Sequence, residues 1–178
     1  MVIPKGKSFV WINHWRSAPA DIFFGIITNC GNGSLIAFLV LLFFILKQKR
    51  ICILIIAGYV LSGIIVIVLK HYFDYLRPAD YFSETGVVRS VRWVALHHKY
   101  SFPSGHATSV FTAAVIVSLF FLEKKWIAIL CFAIAVLTAY SRVYLGEHFV
   151  MDVWMGSFIG VFTGTCCFLV QQHILNKR

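Results

Sequence analysis

Four ionisable residues stand close together in SRVYLGEHFVMD, residues 141–152, although the chain around them is strongly apolar. His148 and Asp152 are four residues apart, a spacing that predicts one face of a helix. A carboxylate bonded to one imidazole nitrogen fixes the tautomer and frees the other nitrogen as a nucleophile or base. Arg142 can hold two phosphate oxygens with its planar guanidinium. These three residues are called the histidine–aspartate cluster; the less specific interpretation is a structural ion pair at a helix end.

A second cluster, the PSGH cluster, lies in FPSGHATS, residues 102–109, before an apolar run. Pro103 suits the first position of a helix, and Ser104 and Gly105 follow it. The unpaired N–H groups of a helix start bind anions, and a glycine lets a phosphate approach the backbone closely. His106 is then placed to give a proton to a leaving oxygen. Alone, these four residues also fit an ordinary helix cap.

A pair of cations, the lysine–arginine cluster, lies in KHYFDYLRP, residues 70–78. Lys70 and Arg77 are seven residues apart across the predicted end of an apolar helix. Either one alone is compatible with a long side chain that reaches lipid head groups. A charge at the centre of a bilayer costs about 2.5–3.5 kcal/mol on insertion scales, so charged clusters in such a chain mark a site unless they reach the interface.

Five long apolar runs carry these clusters and predict an all-α, polytopic membrane helix bundle with about five transmembrane helices. The 178-residue chain is 60% hydrophobic and has a mean hydropathy of +0.82. A helix crosses about 30 Å of hydrocarbon with roughly 20 residues, which each run reaches with its flanks. The runs are residues 35–46, 51–69, 107–122, 126–140 and 149–172. The first span is expected over about 22–46, with its continuity left open by the glycine-containing stretch at 28–33.

No repeat, low-complexity tract or linker divides the sequence, so residues 1–178 are predicted to form a single domain. Residues 1–20 carry aromatic and charged side chains without the apolar core of a signal peptide, and are expected to lie at the membrane interface. Residues 79–102, the rim loop, are expected to form an extracytoplasmic loop over the site. The five cysteines have no metal-type spacing and are interpreted as small buried hydrophobes.

The basic residues predict the partners and the orientation of the chain. The net charge of +9 comes without the basic face that nucleic-acid binding requires, so lipid head groups or a phosphorylated substrate are the expected partners. Seven basic residues fall on one side of the predicted bundle: Lys47, Lys49, Arg50, Lys124, Lys125, Lys177 and Arg178. The positive-inside rule assigns that side to the cytoplasm. The other nine lie on the opposite side, so the raw count does not decide the orientation. Because three of them belong to the clusters and most others lie in the rim loop or the amino-terminal arm, those segments are predicted to lie outside.

In chain order the clusters give K-x6-RP, then PSGH, then SR-x5-H-x3-D, all at one predicted membrane face. This set resembles the type 2 phosphatidic acid phosphatase (PAP2) superfamily of membrane lipid phosphatases and soluble vanadium haloperoxidases. Every motif position is filled, and the resemblance extends over roughly residues 20–172. It implies a PAP2/vanadium haloperoxidase-like helical core. The predicted spans argue against soluble haloperoxidase chemistry, and the small size suits bacterial members.

The resemblance also implies a role for each motif residue. His148 matches the histidine that attacks phosphorus and forms a phosphohistidine, Asp152 the carboxylate that orients it, and His106 the general acid. The residues that match phosphate ligands are Lys70, Arg77, Ser104, Gly105 and Arg142. The chemistry requires the same groups, because phosphoryl transfer spreads negative charge over oxygens that cations and backbone donors can stabilise.

Neither a metal nor another cofactor is expected. The seven acidic residues are scattered, so a two-metal carboxylate site cannot be built. Turnover is therefore expected to survive EDTA. A bell-shaped pH profile is also expected, because His148 must attack as a neutral ring while His106 starts protonated.

The predicted membrane placement implies a lipid substrate whose phosphate reaches the interface. For bacterial members the resemblance implies undecaprenyl diphosphate, lipid A phosphate, phosphatidylglycerol phosphate or phosphatidic acid, at the outer face of the inner membrane. Rim-loop residues that could meet further phosphate or sugar groups are Arg89, Arg92, His97, His98 and Lys99. A solvated or lipid-facing loop is an equal alternative. A basic rim mildly favours more than one phosphate, and the oligomeric state is left open.

Two other functions would use the same residues. A lipid-to-lipid phosphotransferase would let a second lipid attack the phosphohistidine in place of water. A non-catalytic lipid-binding relative would be expected to lack a motif residue, and none is missing. Among other polar residues, Glu147 is expected to face water because adjacent helix residues point apart. Asn29 and Asn32 are expected to hydrogen-bond between helices rather than line the site.

Overall fold

The computed structural model describes residues 5–177, and its regular elements in that range are all helical, which confirms the predicted all-α class. The elements are α1 (Lys5–His14), α2 (Ala18–Ile27), a 3₁₀ turn (Thr28–Gly31), α3 (Gly33–Ile45), α4 (Lys49–Phe73), α5 (Pro78–Tyr81), α6 (Gly105–Phe120), α7 (Lys125–Tyr144) and α8 (Val150–Asn176). Large apolar side chains on the outside of the bundle, among them Ile53, Phe132 and Phe158, are exposed to the surroundings. This is the surface of a protein that is integral to a membrane.

The spans differ in length. In the part of the chain that the structure describes, three helices are long and apolar enough to cross a bilayer: α4, α7 and α8. A fourth crossing is available if α2 and α3, which meet at an angle of 61°, are taken as one broken span. The remaining predicted span is the apolar helix α6, whose 16 residues reach only about 24 Å at 1.5 Å per residue. Among residues 5–177 the structure thus has three candidate spans, or four with the broken pair, and the predicted number of about five stays a prediction that requires α6 to cross as well.

The first span is broken where its backbone passes α6. A Cβ atom on Gly31 would lie 2.6 Å from Cβ of His106, so only glycine permits this approach. The expectation that Asn29 and Asn32 bond between helices is wrong. Asn29 Nδ2 donates to the carbonyl of Ile26 at 3.1 Å, and Asn32 Nδ2 donates to Asn29 Oδ1 at 3.1 Å. Both amide groups thus bond locally, to a carbonyl at the end of α2 and to a side chain of the break.

Helix α6 lies at the centre of the bundle, between α4, α7 and α8. Its contact with α8 runs along three glycines spaced four residues apart: Gly156, Gly160 and Gly164. A Cβ on any of them would lie 3.0 Å or less from a backbone carbonyl oxygen of the α6 segment. Small residues in such a stripe let two helix backbones come close together in a membrane. At the end of this contact where α6 begins, the Ser104 amide donates to the Asp152 carbonyl at 2.9 Å.

The start of α6 differs from its prediction. Pro103 was expected at the first helical position, whereas the helix begins at Gly105 and Ser104 is its N-cap. The backbone of Ser104 is extended, with φ −75° and ψ 115°. This follows from the hydrogen bond that its amide donates to the Asp152 carbonyl, which directs Ser104 toward α8 before the helix starts.

The amino-terminal segment packs on the same end of the bundle as the rim loop. Phe9 and Asn13 of α1 are buried, whereas Trp11 and Trp15 are exposed. Asn13 Nδ2 donates to the Tyr144 carbonyl at 2.8 Å and to the Arg89 carbonyl at 2.9 Å, so α1 ties the rim loop to the end of α7. The placement of residues 1–20 at the membrane interface stays a prediction, and residues 1–4 lie outside the described range.

Replacing Gly160 with alanine is expected to lower the melting temperature in detergent by several degrees, because overpacking against a backbone costs about 1–3 kcal/mol. Gly63→Ala in α4 is the matched control, since an added Cβ there meets nothing within 4 Å. Alanine at that site also favours the helix by up to about 1 kcal/mol. Equal melting temperatures for the two variants would contradict the close α6–α8 contact.

Candidate active site

The histidine–aspartate cluster lies at the junction of α7 and α8. His148 precedes α8, whose N-cap is Phe149, so the prediction that His148 and Asp152 share a helix face is wrong. The extended backbone of Phe149 nevertheless brings the two side chains together, with His148 Nδ1 3.5 Å from Asp152 Oδ2. This separation is longer than a hydrogen bond but within ion-pair range.

Asp152 is completely buried and held by two donors. The Phe149 amide donates to its Oδ2 at 3.0 Å, and the Ser101 hydroxyl donates to the same oxygen. Ser101 is itself fully buried, with its amide bonded to the Tyr75 carbonyl at 2.9 Å. No pattern in the sequence singled out Ser101. Its position two residues before Pro103 was the sequence feature that could have pointed to a role in the site.

His148 is 1% exposed. Burial, opposed by Asp152 and reinforced by the charges of Arg77 and Arg142, lowers the pKa of His148 to about 3. The ring is therefore neutral at physiological pH and has a lone pair available for attack. The acid limb of a rate profile governed by this ring then falls well below the ordinary histidine pKa of about 6.5.

Backbone carbonyls and a hydroxyl fix the two buried guanidinium groups. Arg77 Nε donates to the Lys99 carbonyl at 2.9 Å, and the Arg77 amide donates to the His98 carbonyl at 2.9 Å. Arg142 Nη1 donates to Thr28 Oγ1 at 2.8 Å. Thr28, in the broken part of the first span, was not identified from the sequence. The rim loop and the break in span one thus position the arginines.

Glu147 does not face water as expected but is fully buried among these cations. Its Oε2 accepts from Arg77 Nη1 and lies 3.3 Å from Arg142 Nη2. Glu147 points inward because it lies in the α7–α8 turn, where Gly146 adopts a positive φ of 84° and the chain is no longer helical. Buried guanidinium groups require a counter-charge, and Glu147 supplies it.

Two adjoining cavities share the side chain of Lys70. One, of about 440 Å³, has a lining that includes Lys70, Arg77, His97, His98 and Lys99. The other, of about 340 Å³, has a lining that includes Lys70, Gly105, His106 and Asn32. His106 is also within electrostatic range of Arg142, Arg77, Lys70 and His148.

The structure therefore brings the three clusters together, with only part of the expected rim. Ser104 is buried next to Gly105, and its hydroxyl oxygen has no hydrogen-bond partner within residues 5–177. Arg89 and Arg92 are exposed and do not appear in the lining of either cavity. Among the described residues, no three histidine, cysteine, aspartate or glutamate side chains are grouped so that they could hold a metal ion.

Comparison with known proteins identifies the family. Residues 51–175, which include all three clusters, match the PAP2 superfamily. The chain belongs to the PAP2 superfamily. Its fold is similar to the crystal structure of Aquifex aeolicus LpxE, with a TM-score of 0.81, 30% sequence identity and coverage of 94% of this chain and 96% of that one. The resemblance inferred from the motifs is confirmed.

Other PAP2 relatives are named for different lipids. An undecaprenyl-diphosphatase of Sulfolobus acidocaldarius is 34% identical over 114 residues, which are 64% of this chain and 52% of that protein. A lipid A 4'-phosphatase of Porphyromonas gingivalis is 28% identical over 148 residues, 80% of this chain and 61% of that protein. The chain thus spans little more than half of the length of these two relatives.

Replacing Ser101 with alanine is expected to lower kcat/KM about 10- to 100-fold on a lipid phosphate, because a hydrogen bond to a charged group contributes about 1.5–3 kcal/mol. Ser157→Ala on α8 is the control, since that hydroxyl bonds only to the Val153 carbonyl of its own helix. Phosphate release by the purified variants measures the effect. Unchanged kinetics for Ser101→Ala would show that its bond to Asp152 has no role in turnover.

Proposed function

We propose that this PAP2 protein is a membrane phosphatase that hydrolyses a phosphomonoester or diphosphate of an envelope lipid through a phosphohistidine. The observation that carries the proposal is the position of Lys70, whose side chain lines both the cavity with Arg77 and the cavity with His106. A phosphate beside Lys70 is then flanked by an anion-binding arginine on one side and an acid on the other. His148 is the proposed nucleophile; it lies within electrostatic range of His106, Arg77 and Arg142 but does not appear in the lining of either cavity.

In the first step, Nε2 of His148 attacks phosphorus while Nδ1 faces Asp152. The N–P bond forms as the P–O bond to the lipid breaks, and His106 gives its proton to the departing oxygen. Asp152 stabilises the positive charge that develops on the ring. In the second step, a water that loses its proton to His106 attacks phosphorus, and the N–P bond breaks to release inorganic phosphate.

Charged and backbone groups of this chain stabilise the transferred group without a metal. Lys70, Arg77 and Arg142 offset the charge on the equatorial oxygens. The first N–H groups of α6 lack intrahelical acceptors and add donors beside Ser104 and Gly105.

The residues of the rim loop favour a class of substrates and do not select a single lipid. His97, His98 and Lys99 line the larger cavity together with Arg77, which favours a polyprenyl diphosphate or another lipid with more than one phosphate. The names of the relatives from Sulfolobus acidocaldarius and Porphyromonas gingivalis are compatible with such substrates. The positive-inside rule supports placing the site on the extracytoplasmic face of a bacterial inner membrane, because the basic turns lie at the other end of the bundle.

Replacing His148 with alanine is expected to lower phosphate release by at least about 1,000-fold, because the covalent route is lost. His173→Ala, an exposed residue in the last turn of α8, is the control. Purified proteins would be assayed on undecaprenyl diphosphate, lipid A and phosphatidic acid, each with and without EDTA. Loss of wild-type turnover in EDTA that Mg²⁺ restores would refute the proposed mechanism.

Replacing His106 with alanine is expected to abolish the first step with lipid phosphates while largely sparing the first step with an aryl phosphate, and kcat/KM reports that step. A nitrophenolate leaves without a proton, whereas an alkoxide requires an acid. The ratio of kcat/KM for p-nitrophenyl phosphate to that for phosphatidic acid should therefore rise about 100-fold. An equal loss on both substrates would assign His106 to phosphate binding instead of acid catalysis.

A further inference from the structure

Glu147 is a fully buried carboxylate on which three side chains of the site converge. Arg77 Nη1, Arg142 Nη2 at 3.3 Å and His97 Nδ1 at 3.0 Å all lie against its Oε2. The residue is also fixed through its backbone. Its amide donates to the Arg142 carbonyl at 3.0 Å, and its own carbonyl accepts from Arg77 Nη1 at 3.4 Å.

The Glu147 carboxylate therefore lies among the cations that the proposed chemistry needs for binding phosphate. Arg77 and Arg142 are only 7% and 5% exposed, so solvent screens the repulsion between their charges poorly. A buried pair of like charges requires a counter-ion, and Glu147 meets that requirement with no phosphate present. A phosphate that enters the site interacts with the same two groups. Its affinity is therefore reduced by the carboxylate already bound to them.

We propose that Glu147 is a positioning residue that acts as the built-in counter-ion of Arg77 and Arg142 and keeps the site from holding inorganic phosphate tightly. The inference rests on the proposed phosphatase function. Three cations, Lys70, Arg77 and Arg142, face two carboxylates, Glu147 and Asp152, so removing one carboxylate raises the net charge near the phosphate. Glu147 thus holds the arginines between turnovers and favours the release of product.

The contact with His97 extends this role to the rim loop. His97 is the rim residue that reaches the buried carboxylate, although 63% of its own side chain is exposed. A phosphate that draws the arginines away from Glu147 changes the charge that His97 faces.

A purely structural ion pair makes the opposite prediction. If Glu147 only anchored the arginines, its loss would disorder them and weaken the binding of phosphate. If it is a competing counter-ion, its loss strengthens that binding. The sign of the change in phosphate affinity therefore separates the two roles.

The test uses the full chain in detergent as wild type, Glu147→Gln and Glu147→Asp. Glu123→Gln is the matched control, because Glu123 is exposed in the turn between α6 and α7 at the opposite end of the bundle. Inorganic phosphate would be measured both as a competitive inhibitor of lipid-phosphate turnover and by calorimetric titration without lipid. Thermal unfolding would verify that each variant is folded.

For Glu147→Gln we expect the Ki and the Kd of phosphate to fall about tenfold, with a lower kcat because the product leaves more slowly. Glu147→Asp should return both constants toward the wild-type values, and Glu123→Gln should leave them unchanged. Phosphate affinity that is unchanged or weaker in a folded Glu147→Gln protein would overturn the inference. Absence of wild-type turnover on every lipid phosphate would instead count against the phosphatase function, while the calorimetric comparison would still report on Glu147.

Discussion

The close contact between α6 and α8 is the constraint on which the rest of the site depends. The PSGH cluster begins one helix and the histidine–aspartate cluster begins the other, so the distance between the two helix axes sets the distance between His106 and His148. Glycines 156, 160 and 164 let the backbones meet, and the bond from the Ser104 amide to the Asp152 carbonyl fixes their register. The relative placement of the two clusters therefore depends on this helix pair, while the turn before α8 carries His148 and the rim loop holds Arg77.

Burying several charges inside a membrane protein requires a partner for nearly every donor. The structure meets this requirement with groups from distant parts of the chain: carbonyls of the rim loop for Arg77, a hydroxyl in the broken span for Arg142, and the Glu147 carboxylate for both. An unpaired buried charge would cost several kcal/mol. The rim loop and the first span are thus structural parts of the anion site as well as its walls.

Sequence patterns predicted the helical class, the family and the residues of the three clusters, because hydrophobic runs and motif spacing are local signals. Predictions from these patterns failed where tertiary contacts determine the position of a side chain. Glu147 was assigned to solvent on a helical argument, although Gly146 turns the chain out of the helix there. Ser101 and Thr28 belong to no sequence motif. Their roles follow only from their hydrogen bonds with Asp152 and Arg142. Arg89 lies outside the cavities because Asn13 holds its backbone on α1.

The length of α6 bears on how a lipid phosphate would reach His106. Helix α6 has 16 residues and extends about 24 Å, whereas the hydrocarbon layer of a bilayer is about 30 Å thick. A bilayer adapts to a short apolar segment by thinning locally, at a fraction of a kcal/mol per ångström. If α6 crosses the membrane, the adjoining leaflet is expected to dip there and to bring head groups closer to Lys70 and His106.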